Sequence, residues 1–361
     1  MILIWDMDIG GIQKRVKDLV LDIEKNLPDW EIHLLVKNIT PSSYISEISK
    51  RKRINIYGFR VNASRNNTRS PLSIFWVMKY YIKIKPDVVL TFLDHLSIVM
   101  SMVRCLCFWQ NSKLVLNEGN YTSNFVKIHR RLKIVWNFLI RNTYKYADKI
   151  IVPTQACRED LEKNFSIPKR KIFIIPNWTT FSAGKPDVYK YDLIFAGRLE
   201  KEKNLFQTID VVKKLRTKLP DIKMAIVGKG SLEKTLKEEV RKLKLNNNIH
   251  FLGYQENAIR FIKESRLFLL TSINEGMPNT VLEAACFQVP AIIYNYPGAD
   301  EVVIHGKTGY ITSSPKKMTE FIYELLTNPK KIKLMGISAQ KNILKNFHYK
   351  TQKRFIDTLL K

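Results

Sequence analysis

Short apolar runs recur along the chain, and between most of them lies a longer stretch with apolar positions at helical spacing. The runs at 2–5, 31–36, 54–59, 87–92, 113–116, 149–152 and 171–175 predict strands, and stretches such as 11–25 and 72–83 predict helices between them. Strands that are apolar throughout are buried on both faces, which implies a parallel sheet covered by helices.

The rhythm breaks at Asn177-Trp178-Thr179-Thr180-Phe181-Ser182-Ala183-Gly184-Lys185-Pro186, which is polar and rich in turn formers. It then restarts, with strands expected at 192–196, 223–227, 250–252, 267–271, 291–295 and 310–312 and helices at 203–218, 232–244 and 278–287. The last fifty residues read as helical. The expected fold is α/β, with two doubly wound Rossmann-like domains at 1–177 and 191–342 and a linker at 178–190. A helix within 343–361 is expected to pack back on the first domain. Such sheets bind ligands at the carboxyl ends of their strands, so two of them facing each other imply a ligand cleft.

Composition sharpens this picture. The 361 residues are 45% hydrophobic and 26% charged, enough for two cores and against disorder. Sixty Lys and Arg against 33 Asp and Glu give a net charge of +27, which calls for an anionic partner. Cys105, Cys107, Cys157 and Cys286 all sit in apolar stretches and are expected to be small buried side chains in a reducing compartment. The N-terminal apolar run meets Asp6 at once, and the longest apolar stretch, 96–109, falls short of the ~20 residues of a membrane span. These features point to a cytoplasmic protein, with the inner face of a membrane as a candidate resting place.

The strongest chemical signal is Asn274-Glu275-Gly276-Met277-Pro278-Asn279-Thr280-Val281-Leu282-Glu283-Ala284-Ala285. A predicted strand ends just before it, and Pro278 suits the first helical position. Free amides at a helix start hold an anion such as a diphosphate, and flanking carboxylates accept hydrogen bonds from hydroxyls. An anion site between two hydroxyl-binding acids matches a nucleoside-diphosphate sugar. Glu283, in a helix apolar nearly all round, is expected to be buried and to need partners. A second signal, Phe195-Ala196-Gly197-Arg198-Leu199-Glu200-Lys201-Glu202-Lys203-Asn204, places two cations at another strand end.

The pattern E-G-M-P-N-x-x-L-E-A, with Glu275 and Glu283, and G-R-L-x-x-x-K-N, with Arg198 and Lys203, resemble the family 4 (group 1) retaining glycosyltransferases of GT-B fold. Val227-Gly228-Lys229-Gly230 resembles the family's V-G-x-G turn, and Phe251-Leu252-Gly253-Tyr254 its F-x-G strand end. The stretch 297–309 resembles G-G-x-x-E-x-I-x-x-G-x-x-G with Pro297 in place of the first Gly, and Gly10-Gly11-Ile12-Gln13-Lys14-Arg15-Val16 its glycine-rich loop.

The resemblance implies an acceptor-binding first domain and a nucleotide-sugar-binding second domain. Arg198 and Lys203 would neutralise the donor diphosphate, Glu275 would bind hydroxyls of the transferred sugar, and Glu283 the ribose hydroxyls. Amides near Met277, Pro278 and Asn279 would contact the diphosphate, Tyr254 and the turn Gly228–Gly230 would lie near the base, and Gly10 and Gly11 would let the first loop approach the donor. The donor would be a UDP- or GDP-sugar, with no metal and no further cofactor. Anomeric configuration would be retained by front-face attack, with the leaving phosphate as base and no protein nucleophile.

Many members carry a His after the strand that here spans 113–116, whereas this chain has Asn117-Glu118-Gly119-Asn120. Glu118 is therefore a candidate for an acceptor-contacting or electrostatic role, the alternative being a turn acid. His95 also sits at a strand end. Asp6-Met7-Asp8 spells D-x-D but directly precedes the Gly-Gly loop, so a turn and no metal are expected. Gly228-Lys229-Gly230 lacks the third glycine of a dinucleotide fingerprint.

Basic residues gather in the first half, at Lys50-Arg51-Lys52-Arg53 and along 127–141, where aromatics stand beside cations at helical spacing. Such a helix suits an anionic membrane surface. The reading is a transferase moving a hexose-type sugar to a saccharide or a polyprenyl-diphosphate-linked saccharide, in surface polysaccharide or glycolipid synthesis. The competing reading is a non-catalytic GT-B protein that binds membrane or nucleic acid. The pair Glu275 and Glu283 argues against it, and the absence of a recognised nucleic-acid module argues against a nucleic-acid partner.

Overall fold

The computed structural model describes residues 1–7, 10–39, 43–61 and 73–360. The chain divides into two units, Met1–Ile175 with Gln352–Lys361, and Pro176–Thr351.

The first unit carries the strands β1 (Ile2–Asp6), β2 (Ile32–Ile39), β3 (Ile54–Val61), β4 (Val88–Phe92), β5 (Lys113–Asn117), β6 (Lys149–Val152) and β7 (Ile172–Ile174). They pair in parallel in the order β3-β2-β1-β4-β5-β6-β7. Strand β2 runs past the expected end at 36, because Asn38 and Ile39 stay in register with Arg60 and Val61. Its polar Lys37 hid that continuation: the residue is buried, with its ammonium 3.9 Å from the centre of the Trp5 ring.

The second unit carries β8 (Tyr191–Ala196), β9 (Met224–Val227), β10 (Ile249–Gly253), β11 (Ser265–Leu270), β12 (Ala291–Tyr294) and β13 (Gly309–Thr312). These too are parallel, in the order β10-β9-β8-β11-β12-β13. Each unit encloses its own core, and β9 is buried at every residue. Both sheets are the doubly wound kind predicted from the apolar runs. Their strand order reverses direction between β1 and β4 and between β8 and β11, where such sheets receive ligands.

The irregular stretch after β7 is stitched to the second unit: the amides of Gly184, Asp187 and Lys190 donate to Cys286, Lys263 and Glu264. The end of the chain is helical, with helices Pro315–Leu326, Pro329–Asn346 and Tyr349–Leu360. Lys149 donates to the Thr358 carbonyl, and Arg15 lies over the Phe355 ring, which ties the last helix into the first unit. Among the described residues no helix is long and apolar enough to cross a membrane.

Candidate functional site

In the second unit the carboxyl ends of β8, β9 and β10 meet backbone to backbone. Gly197 N–H donates to Val227 O at 3.0 Å, Gly228 N–H to Gly253 O at 2.7 Å, and Leu199 N–H to Lys229 O at 3.0 Å. Gly228 has φ +134, and a Cβ there would fall 1.9 Å from Gly197 O; one on Gly230 would fall 2.4 Å from Leu199 O. The V-G-x-G turn thus needs its glycines for close backbone approach, whatever lies beyond it. Half-buried Tyr254 follows Gly253 at the end of this row.

The next strand across the switch point, β11, delivers the acids. The segment expected as one helix from 203 splits into a turn, Lys201–Lys203, and a helix, Leu205–Arg216, because Asn204 takes φ +51. The Thr271 hydroxyl, just past β11, fixes this break by reaching the Lys203 and Asn204 carbonyls at 2.9 and 3.1 Å. Lys203 is thereby aimed across the switch point, and its Nζ donates to Glu275 Oε1 at 2.5 Å. Both side chains are largely buried, so the pair is shielded from solvent. Arg198, by contrast, is 64% exposed and pairs with buried Glu202 at 3.1 Å. Between β11 and Glu275, Ser272 Oγ and Asn274 Oδ1 are buried without a hydrogen-bond partner among the described residues.

The helix that follows is Asn279–Cys286. Pro278 caps it with extended angles, φ −74 and ψ 112, one position before the first helical place expected for it. The shift follows from the Pro278 carbonyl, which already accepts from Val281 and Leu282. Asn177 holds this start from behind: its Nδ2 donates to Met277 O and Asn279 Oδ1, each at 2.8 Å. Sequence reasoning missed Asn177 as a site residue because it opens a polar, turn-rich stretch. Glu283, one turn inside the helix, is half-buried and not enclosed as expected. The helix presents it beside the buried Leu282 and Ala284 without sealing it.

In the first unit, Gly10 caps the helix Gly11–Asn26 with φ −178, an extended conformation that any residue adopts. A Cβ there would meet only the flexible Gln13 side chain, which itself donates to Asp6 at 2.9 Å. Asp8 of the D-x-D sequence lies outside the described residues. Across the switch point, Leu93 takes φ +81, a rare conformation for a side-chain-bearing residue, immediately before Asp94 and His95. His95 packs edge-on against Trp5 at the end of β1, with ring centroids 4.2 Å apart. Burial lowers its pKa, and its Nε2 has no partner among the described residues. Asp94 is buried and takes Arg130 on both oxygens, at 2.8 and 2.7 Å.

Glu118 is not an exposed turn acid. Its Oε1 accepts from Ser97 Oγ at 2.8 Å and Tyr144 OH at 2.7 Å inside the unit. Burial, reinforced by the Asp94 charge, pushes its carboxyl up to about 8. A carboxyl this enclosed orders its surroundings.

Two further expectations are corrected. Cys105 is exposed, whereas Cys107, Cys157 and Cys286 are buried. It sits near the end of the helix Asp94–Leu106 on the side away from the core, where apolar sequence neighbours do not imply burial. In the run at 50–53, Arg53 turns back onto the carbonyls of Glu24, Leu27 and Pro28, where it serves the end of the first helix.

The family model for Glycosyl transferases group 1 matches residues 177–342, and that for Glycosyltransferase Family 4 matches residues 9–180. An uncharacterized glycosyltransferase of Methanocaldococcus jannaschii is 30% identical over 292 residues, 73% of this chain and 71% of that protein. The N-acetylgalactosamine-N,N'-diacetylbacillosaminyl-diphospho-undecaprenol 4-alpha-N-acetylgalactosaminyltransferase of Campylobacter jejuni is 26% identical over 297 residues, 79% of this chain and 78% of that protein. Among solved structures, S. aureus TarM in complex with fondaparinux, alpha-GlcNAc-glycerol and UDP superposes with a TM-score of 0.80 over 99% of this chain and 98% of that one, at 13% identity. Anabaena HepE in complex with UDP gives 0.77 over 99% of both chains, at 18% identity. At such identities the likeness shows the fold, two Rossmann-like units of GT-B type. The parallel sheets, the glycine-packed strand ends and the matches to both halves agree: the chain belongs to the group 1, family 4 glycosyltransferases.

Proposed function

We propose that this glycosyltransferase takes a hexose-type sugar from a UDP- or GDP-sugar and passes it, with retention and without a metal, to a saccharide or lipid-linked saccharide. The observation that carries the reading is the Lys203–Glu275 pair, set beside the Asn279–Cys286 helix start at the switch point. In this reading Arg198 and Lys203 take the diphosphate, together with the amides of Met277 and Asn279 beside Pro278. Glu275 binds hydroxyls of the transferred sugar and Glu283 those of the ribose. Tyr254, Gly228 and Gly230 border the base. Glu118 is a positioning residue for the strand ends of that unit.

The acceptor oxygen attacks the anomeric carbon from the face the diphosphate leaves. The bond to the leaving oxygen breaks, and the acceptor's proton passes to a phosphate oxygen. Arg198 and Lys203 stabilise the charge that grows on the leaving group, and attack from that face needs no protein nucleophile. Support for a UDP donor comes from TarM and HepE, solved with UDP, and for a lipid-linked acceptor from the Campylobacter relative's name. A surface polysaccharide or glycolipid is then the product.

The test is a hydrolysis screen over UDP-, GDP- and ADP-sugars, run with thermal shifts against the free nucleotides. A turnover lost in Glu275→Ala, with a midpoint raised by UDP or GDP, is the expected result. No turnover and no shift with any nucleotide would overturn the reading.

A further inference from the structure

Helices in this chain bury one side, and the helix Lys133–Thr143 does not follow them. Its inner side, Trp136, Leu139 and Ile140, belongs to the core of the first unit. Its outer side is apolar as well: Ile134 is 86% exposed, Phe138 64%, and Val135 is exposed beside them. Large apolar side chains exposed together on the outer side of a helix mark an interaction surface.

The apolar face continues onto a neighbouring helix. Helix Asp94–Leu106 packs alongside in the same direction: Arg130, just before one helix, holds Asp94 at the start of the other, and Tyr146, just after, lies against Cys105 at the end. There Leu106 is exposed, followed by Phe108 at 81% and Trp109 at 62%.

Charge identifies what covers this face. Helical spacing sets Arg141 on the same side as Ile134 and Phe138, with exposed Arg131 just before the helix and Lys145 just beyond it. Residues 119–147 hold six Lys and Arg and no Asp or Glu. Over 48–147 there are eighteen Lys and Arg and three Asp and Glu, and two of those acids, Asp94 and Glu118, are buried. Two copies of so basic a face repel each other, whereas an anionic surface with an apolar layer beneath attracts both its cations and its side chains. We propose that this face docks on an anionic lipid bilayer, with Ile134, Phe138, Phe108 and Trp109 entering the boundary of the headgroups and Arg131, Arg141 and Lys145 resting on lipid phosphates. It deepens the lipid-linked reading of the acceptor but uses none of the donor-site residues.

The full chain is sedimented with vesicles of neutral phosphatidylcholine, alone or mixed with phosphatidylglycerol. Binding at least about tenfold tighter to the anionic vesicles is expected, with each cation removed, as in Arg141→Gln, weakening it about fivefold. Ile134→Glu with Phe138→Glu should abolish binding, while the nucleotide-induced thermal shift and donor hydrolysis stay at wild-type level. Failure here with that shift intact would sink the docking face alone. In wild type, brominated acyl chains should quench fluorescence that Trp109→Phe removes, a readout that needs no charge reversal. Equal binding to neutral and anionic vesicles, or no quenching, would overturn the proposal. So would a dimer that these same substitutions dissolve.

Discussion

Lys203 and Glu275, 72 residues apart in the sequence, are joined by a 2.5 Å hydrogen bond across the switch point of the second sheet. The cation assigned to the donor's diphosphate is therefore already held in place by the acid assigned to the sugar. Lys203→Ala leaves Glu275 buried without its counter-charge and is expected to cost about 2–4 kcal/mol as well as donor turnover. Glu275→Gln keeps a hydrogen-bond acceptor for the Lys203 ammonium but not its counter-charge, so it should cost less, about 1–2 kcal/mol, while lowering hydrolysis about 10²–10³-fold. Thermal melts beside initial rates separate the two; equal melts for both variants would contradict the pairing.

Arg198 sits in a different setting. Its exposed guanidinium gains little from Glu202, so Arg198→Ala should leave the melting midpoint nearly unchanged. If it takes the diphosphate, kcat/KM should still fall about 10–100-fold, and nucleotide affinity with it. Unchanged affinity for UDP and GDP would remove Arg198 from the site.

Glycine substitutions test the backbone packing at the strand ends. Gly228→Ala forces a Cβ to within 1.9 Å of Gly197 O at φ +134 and should cost about 3 kcal/mol or more. Gly253→Ala is the matched control: φ is +66 but nothing lies within 4 Å of the new Cβ, so about 1 kcal/mol is expected. Denaturant midpoints measured side by side should show this order, and equal losses would refute it.

Glu118 makes stability depend on pH in a stated direction. Its carboxyl titrates near 8 when folded, against an ordinary value of 4.5. Between those values the folded state keeps a proton that the unfolded chain has released, so stability falls as pH rises through this window. Glu118→Gln retains an oxygen for Ser97 and Tyr144 and should flatten that dependence, gaining about 2–4 kcal/mol on wild type at pH 8 and little at pH 5. Parallel slopes in melts from pH 5 to 8 would count against the buried proton.

The strands were legible because most are built on a short apolar run, and the donor-side motifs because Gly, Pro and Glu stand at strand ends where few other residue types fit. What stayed hidden depends on partners far along the chain. Glu118 is enclosed by Ser97 and Tyr144, 21 and 26 residues away, and nothing local reveals this. Asn177 reads as loop chemistry until its amide is seen on Met277 and Asn279, about a hundred residues on. Lys37 concealed the end of β2, since a lysine seated on Trp5 breaks the apolar pattern without breaking the strand. The outward side of 133–143 was legible as basic and aromatic, but its apolar exposure came only from seeing which residues the core had already claimed.

The first unit is assembled from both ends of the chain, and this sets an order of events during synthesis. Arg15, whose pKa burial lowers to about 9, and Lys149 lean on Phe355 and Thr358, which leave the ribosome after the whole of the second unit. The strands of the first unit are all made before the second unit begins, but the helix that packs on them follows the second unit, so the first must wait, partly uncovered, for it. A nascent or truncated product ending before residue 352 would therefore present an unfinished first half to chaperones, even with the whole donor site already translated.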